Sequence, residues 1–335
     1  MRKIDEEKIG IYLASILLLA LLTPLLSKLP RTRGKNPLFH VAYAVAVIAM
    51  LMLLPEFIQD EIFSPGGVVV VGTLLPVYQS IVAVCTPGEA DDAIWLQYWI
   101  ASGTLSYCTE FVDEIKQWFP EGGEHWYEFE FFVILWLMLP FTDGATLIHD
   151  TFTEPKIAPI AKSVKAKCET WFSVILTLVN SWHLWIVWFV FMSFNEEEKR
   201  FVVIAVGTIY PLAASMVALT TKTDGSDETF WLTYWACFSL LFLAMDYLEN
   251  FIGSVPGFYS ICLVATVYLF LPMFDGAETV FRRILVPLSG QYENLLLHDA
   301  YLIRRQVEKS IPQQYHDRVL QKAADVFTKP KDKLN

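Results

Sequence analysis

The 335-residue chain is 54% apolar and 18% charged, with a mean hydropathy of +0.41, where a soluble domain has about 45–50% and 25%. That balance favours a membrane protein. A formal charge of −11 argues against a nucleic-acid partner, which needs a basic stripe.

A membrane-crossing helix needs about 20 mostly apolar residues. The first apolar run, 9–26, has no small-residue cleavage site behind it, so it reads as a retained helix that spans or lies at the interface. With the basic loop behind it, it makes an N-terminal region, 1–37. Four runs follow at 38–58, 66–85, 94–119 and 126–142, inside a unit covering 38–155. A basic linker, 156–170, leads to four more at 171–194, 201–220, 230–252 and 255–274, inside a second unit covering 171–287. Residues 288–335 form an amphipathic region and tail. The expected class is all-α integral membrane protein: two tandem repeats of four short membrane helices arranged as hairpins.

Two of the runs are short. Trp231–Met245 gives 15 residues before Asp246 and Glu249 appear, roughly 22 Å at 1.5 Å per residue. Glu110 and Asp113 interrupt run 94–119 at the corresponding place. Such segments can enter one leaflet, turn and return. Basic residues set the orientation. Lys28, Arg31, Arg33 and Lys35 precede one unit, Lys156, Lys162, Lys165 and Lys167 precede the other, and ten more follow Asp275. Four segments separate successive clusters, so all three clusters and the C-terminus can face the cytosol.

The two units repeat each other. "WLQYW" at 95–99 recurs as "WLTYW" at 231–235. Gly72, Thr73, Pro76 and Ser80 match Gly207, Thr208, Pro211 and Ser215. Asp91 and Asp92 match Asp227 and Glu228, Glu110 falls on Asp246, Asp113 on Glu249 and Pro120 on Pro256. Leu139-Pro140 meets Leu271-Pro272, Asp143-Gly144-Ala145 meets Asp275-Gly276-Ala277, and Pro155 meets Pro287. Trp95, Tyr98, Trp99, Trp231, Tyr234 and Trp235 read as membrane-interface anchors, because such rings are apolar with a tip that stays wet. Pro76 and Pro211 remove a backbone donor in mid-run and should kink their helices. Pro140, Gly144, Pro256, Pro272 and Gly276 read as helix ends and turns. After Pro287, the positions Leu288, Tyr292, Leu295, Leu296, Leu302, Ile303 and Val307 recur at helical spacing. The stripe suits a helix in the membrane surface, or one packed on protein.

The residues "GTIYP…S", "DETFWLTYW", "LP…DGA" and "RRILVP" resemble the receptor expression-enhancing family, with its yeast Yop-type and plant abscisic-acid-induced homologues. The second unit fits best; the first has Leu75 before its proline, Gln97 within the pentapeptide and a four-residue insertion after Pro120. The resemblance implies an endoplasmic-reticulum protein with membrane hairpins and a cytosolic amphipathic helix. It implies bending or stabilisation of curved membrane, a role in trafficking, self-association, and partners among other membrane-shaping proteins. Two fused copies resemble a covalent dimer.

The sequence has no phosphate-binding glycine loop, nucleophile elbow or zincin motif, and its six histidines lack zinc-ligand spacing. No enzyme activity, cofactor, metal or small-molecule substrate is expected. His149-Asp150 is set aside as a pair, because neighbours on a helix point apart. Glu110, Asp113, Asp246 and Glu249 have two readings: the wet turn of a hairpin, or a path for a proton- or ion-coupled carrier. No intramembrane Lys or Arg stands out as their partner. A third function reading is a membrane cargo adaptor. Lys331 and Lys333 near the C-terminus suit either an ER-retrieval signal or an ordinary charged tail.

Overall fold

The computed structural model describes residues 37–86, 91–111, 125–180, 184–221, 226–253, 255–271 and 274–310, and all the regular structure among them is helical. The first half contains α1 (Pro37–Leu53), α2 (Glu56–Ile62), α3 (Pro65–Cys85), α4 (Asp91–Phe111) and α5 (Trp126–Met138). Then come α6 (Gly144–Ile148), α7 (Ala158–Asn180) and α8 (Leu184–Ser193). The second half continues with α9 (Glu196–Thr220), α10 (Ser226–Ile252), α11 (Phe258–Phe270), α12 (Gly276–Val280), α13 (Val286–Ser289) and α14 (Tyr292–Ser310). Among the described residues, three stretches are long and apolar enough to cross a membrane: Pro65–Cys85, Glu196–Thr220 and Asp227–Ile252.

Local chemistry explains several boundaries. Asn195 caps α9, its side chain accepting from the Glu198 N–H while Glu198 reaches back to the Asn195 N–H. Glu196, Glu197 and Glu198 fill the first turn, where the helix dipole favours anions. Among the described residues, three segments, Val70–Leu74, His149–Ile157 and Phe281–Leu285, are π-helical. Each contains a proline (Pro155) or runs up to one (Pro76, Pro287), where the missing N–H breaks the regular ladder and lets the turn widen.

Among the described residues, three apolar clusters hold the helices together. Phe63, Val68, Val71, Phe131, Phe132 and Ile134 form one outer cluster. Phe191, Val203, Ile204, Met245, Phe258, Tyr259 and Cys262 form the other. Both halves contribute to the central core, where Leu96, Tyr98 and Trp99 join Leu232, Tyr234, Trp235 and Phe270. Helix α10 packs on both α3 and α4, and α4 also meets α9. Cys85, Cys237 and Cys262 are buried free thiols that act as small apolar residues.

Two expectations change. The basic linker 156–170 is itself helical: Lys156 and Ile157 end the π segment and the rest lies in α7, which runs unbroken to Asn180. Ala158, Ala161, Val164 and Phe172 recur on its inner face and hold it to α9. Helix α10 does not stop at the carboxylates either. It is 27 residues long and carries Asp246 and Glu249 in its last two turns, so that helix is not short.

Candidate functional site

The matched residues of the sequence meet in space as two equivalent clasps. In an α-helix the N–H of residue i bonds the carbonyl of i−4, so Pro76 and Pro211 leave the carbonyls of Gly72 and Gly207 without that donor. A tyrosine hydroxyl supplies it in each case. Tyr98 Oη donates to Gly72 O at 2.7 Å, and Tyr234 Oη donates to Gly207 O at 2.6 Å. One turn further on, Trp99 Nε1 donates to Ser80 Oγ and Trp235 Nε1 to Ser215 Oγ, both at 2.9 Å. Ser80 Oγ in turn donates to Pro76 O at 2.7 Å. The glycines make room. A Cβ at Gly72 would stand 2.7 Å from Ile134 Cδ1, and one at Gly207 would strike the Phe238 ring.

This geometry corrects the interface-anchor reading. Tyr98 and Tyr234 are 1% and 0% exposed, and Trp99, Trp231 and Trp235 are buried with them. Four of these tips are satisfied by the chain itself, so they need no headgroup water. Trp95 is half-buried. Neither Pro76 nor Pro211 ends its helix.

The Asp-Gly-Ala turns also match. Asp143 and Asp275 are left-handed, at φ 47° and 44°, which short polar side chains tolerate. Each is followed by a glycine where the new helix passes close to the old one: a Cβ on Gly144 would lie 2.7 Å from the Trp136 carbonyl oxygen. Pro140 lies in the first of these turns, and Pro256 in the turn before α11.

Asp246 and Glu249 have a cationic partner that the sequence reading missed. Arg200, from the first turns of α9, donates to Glu249 Oε2 at 2.6 Å and Asp246 Oδ1 at 3.1 Å. Tyr259 Oη donates to Glu249 Oε1 at 2.7 Å. Arg200 reads in sequence as part of a polar connection, and only the antiparallel return of α10 brings the carboxylates beside it. Glu110 lies at the end of α4. Asp113, Pro272, Lys331, Lys333 and run 9–26 lie outside the described residues.

The halves touch at the start of the pentapeptide helices, where Thr229 Oγ1 donates to Asp92 Oδ2 at 2.5 Å. Burial pushes the Asp92 carboxyl above its usual range, and the Thr229 bond pulls it partly back. Deeper along α4 and α10, a crevice of about 250 Å³ opens between the halves. Trp99, Ser102, Trp235, Ser239, Glu130 and Asp246 are among its lining.

Helix α14 completes the surface. Leu295 is buried and seats the helix, which leans on α3. Tyr292, Leu296, Leu302 and Ile303 remain exposed. They share a face with Leu295 at spacings of three and four. Asp299 falls in the middle of that stripe. Arg282 grips it with two bonds, at 2.7 and 3.0 Å, and bonds Glu278 at 2.8 Å. This holds the Asp299 carboxyl below its ordinary range. The apolar stripe therefore carries a paired charge.

Residues 76–156 and residues 211–288 each match the TB2/DP1, HVA22 family. Protein yop1 of Aspergillus fumigatus is 38% identical over 84 residues, covering 25% of this chain and 47% of the relative. Protein YOP1 of Pyricularia oryzae is 29% identical over 157 residues, covering 44% of this chain and 84% of the relative. Receptor expression-enhancing protein 4 of Mus musculus is 32% identical over 99 residues, 30% of this chain and 37% of the relative. The chain thus spans about half of the Aspergillus relative and less of the mouse one. No solved structure matches it.

Proposed function

Because this chain belongs to the TB2/DP1, HVA22 family, whose signature it carries in both halves, we propose that it shapes or stabilises curved endoplasmic-reticulum membrane without catalysis. Its apolar helices insert as hairpins from the cytosolic side, and α14 lies in the cytosolic leaflet with the C-terminus in the cytosol. The observation that carries this reading is the exposed stripe Tyr292, Leu296 and Ile303 on α14. A soluble surface would not leave it bare beside the many other exposed apolar side chains, among them Trp185, Phe189, Phe251, Ile261 and Val264. A helix wedged among headgroups adds area to one leaflet, and unequal leaflet areas relax by curving. Self-association and contacts with other membrane-shaping proteins belong to the same proposal, as does a role in membrane trafficking.

The test is reconstitution of the full chain into liposomes followed by electron microscopy. Tubules are expected, with fewer after truncation at Pro287. The double variant Leu296→Glu, Ile303→Glu alters only exposed positions and should lower tubulation without unfolding the protein. Round vesicles at every protein-to-lipid ratio would overturn the reading.

A second reading has one observation in its favour, the crevice lined by Glu130 and Asp246. A proton- or ion-coupled carrier would use it. Against this, Arg200 is ion-paired with both Asp246 and Glu249, which ties these carboxylates up in a salt-bridged cluster. Flux that disappears in Asp246→Asn, Glu249→Gln while membrane shape stays normal would favour the carrier.

A further inference from the structure

The two clasps differ at one matched position, and the difference leaves space between the halves. By the WLxYW register, Phe238 of α10 corresponds to Ser102 of α4. In the second half the Phe238 ring stacks on Tyr234 at 5.5 Å and 11°. It also fills the notch at Gly207, where a Cβ would come within 2.3 Å of the ring. In the first half the notch at Gly72 meets Ile134 of α5 instead, and α4 offers only the small Ser102 and Gly103 beside it. The crevice of about 250 Å³ lies there, with Gly72, Ser102 and Gly103 on one wall and Phe238 and Phe242 on the other. An apolar cavity of roughly 150 Å³ already holds a benzene ring.

Depth, shape and chemistry each point to the same kind of occupant. The three membrane-length helices among the described residues, α3, α9 and α10, all line the crevice. Along α10 the lining runs from Trp235 to Asp246, roughly 16 Å at 1.5 Å per residue, so the space is a trench and not a round hollow. Val69, Leu105 and Leu243 line it and are half-buried, so it is reached past apolar side chains. Its polar groups have partners within the chain. Trp99 and Trp235 direct their N–H groups to Ser80 and Ser215, which leaves ring carbon to line the trench. Ser239 Oγ donates to the Trp235 carbonyl at 2.6 Å, and Ser102 bonds the Tyr98 hydroxyl. At one end, Glu130 accepts from Trp126 Nε1 at 3.0 Å, and Arg200 holds Asp246. A polar ligand is fixed by convergent polar groups; hydrocarbon needs none.

We propose that this crevice seats one acyl chain of a bilayer phospholipid. In the membrane the apolar rim is surrounded by lipid tails, and a tail lying in the trench gives the wall atoms the dispersion contacts that they lack on that side. It takes the place of the ring that Ser102 does not supply, between the Ser102 face of α4 and the Phe238 face of α10. The inference rests on insertion of these helices into the bilayer and not on curvature.

The full chain is reconstituted into nanodiscs of dioleoyl phosphatidylcholine, released into mild detergent and weighed by native mass spectrometry. One phosphatidylcholine retained per chain is expected. Ser102→Phe installs the residue that the other half uses at this position, so it is expected to fold and to lose the retained lipid. If it fails to fold, Gly103→Leu carries the test. A Cβ at Gly103 meets only ordinary contacts, the nearest at 3.7 Å, and the longer side chain takes up crevice space. Flotation with liposomes of the same lipid tests insertion separately. A chain that floats but retains no lipid would overturn the proposal and leave insertion standing. So would folded variants that retain as much lipid as the unaltered chain, since lipid held elsewhere on the surface is indifferent to both substitutions. A chain that does not float would overturn insertion and the proposal together. Oleate retained in preference to phosphatidylcholine, when both are offered, would overturn the phospholipid assignment in favour of a free fatty acid.

Discussion

A single missing N–H sets the residue-scale chemistry of both clasps. Pro211 frees the Gly207 carbonyl and Tyr234 Oη takes it up, in a site with no solvent exposure at the tyrosine. Tyr234→Phe strands a buried acceptor, so it should destabilise by about 1–2 kcal/mol in detergent unfolding, toward the low end if the membrane-embedded reference state finds partners. Pro211→Ala restores the backbone donor to the same carbonyl. In that background Tyr234→Phe should cost measurably less, and a double-mutant cycle reads the difference as coupling. Additive losses would show that the tyrosine acts through packing alone. The sequence displayed every participant here, since Gly, Pro, Ser, Tyr and Trp all recur in register. It could not show that the tyrosine points at the glycine 26 or 27 positions earlier, because that depends on which helices lie side by side.

At the scale of elements, α14 was legible from its apolar period, while the fate of Asp299 was not. That carboxyl stands inside the apolar stripe and is tolerable there because Arg282, from the preceding π-helical segment, reaches across to it. Its value in the folded protein is depressed, so the stabilisation it gives is complete above the unfolded carboxyl pKa of about 3.9 and is lost as pH falls through the lower folded value. Docking of α14 should therefore be unchanged between pH 7 and 5 and loosen only in stronger acid. Asp299→Asn should loosen it already at pH 7. Amide exchange along Tyr292–Ser310 measures both effects, and uniform protection in the variant would show that Leu295 alone holds the helix.

Across the whole molecule, the two halves share one core. Tyr98 and Trp99 of α4 lie in the same cluster as Tyr234 and Trp235 of α10, and Thr229 bonds the buried Asp92. The halves should accordingly unfold together, with fluorescence from Trp99 and Trp235, read in single-tryptophan variants, following one denaturation curve. Thr229→Val removes a donor from a carboxylate already desolvated and should cost about 1–3 kcal/mol. Two separated transitions in the unaltered protein would mean that the central core does not couple the halves.

The sequence alone determined the membrane class and the recurrence of two matched units, because hydropathy and residue order are properties of the chain itself. The tertiary structure alone decided that the WLxYW rings are interior and that Arg200 answers Asp246 and Glu249. Each of these depends on distances between side chains fixed by helix packing. Such distances are not written in the spacing of residue types along the chain.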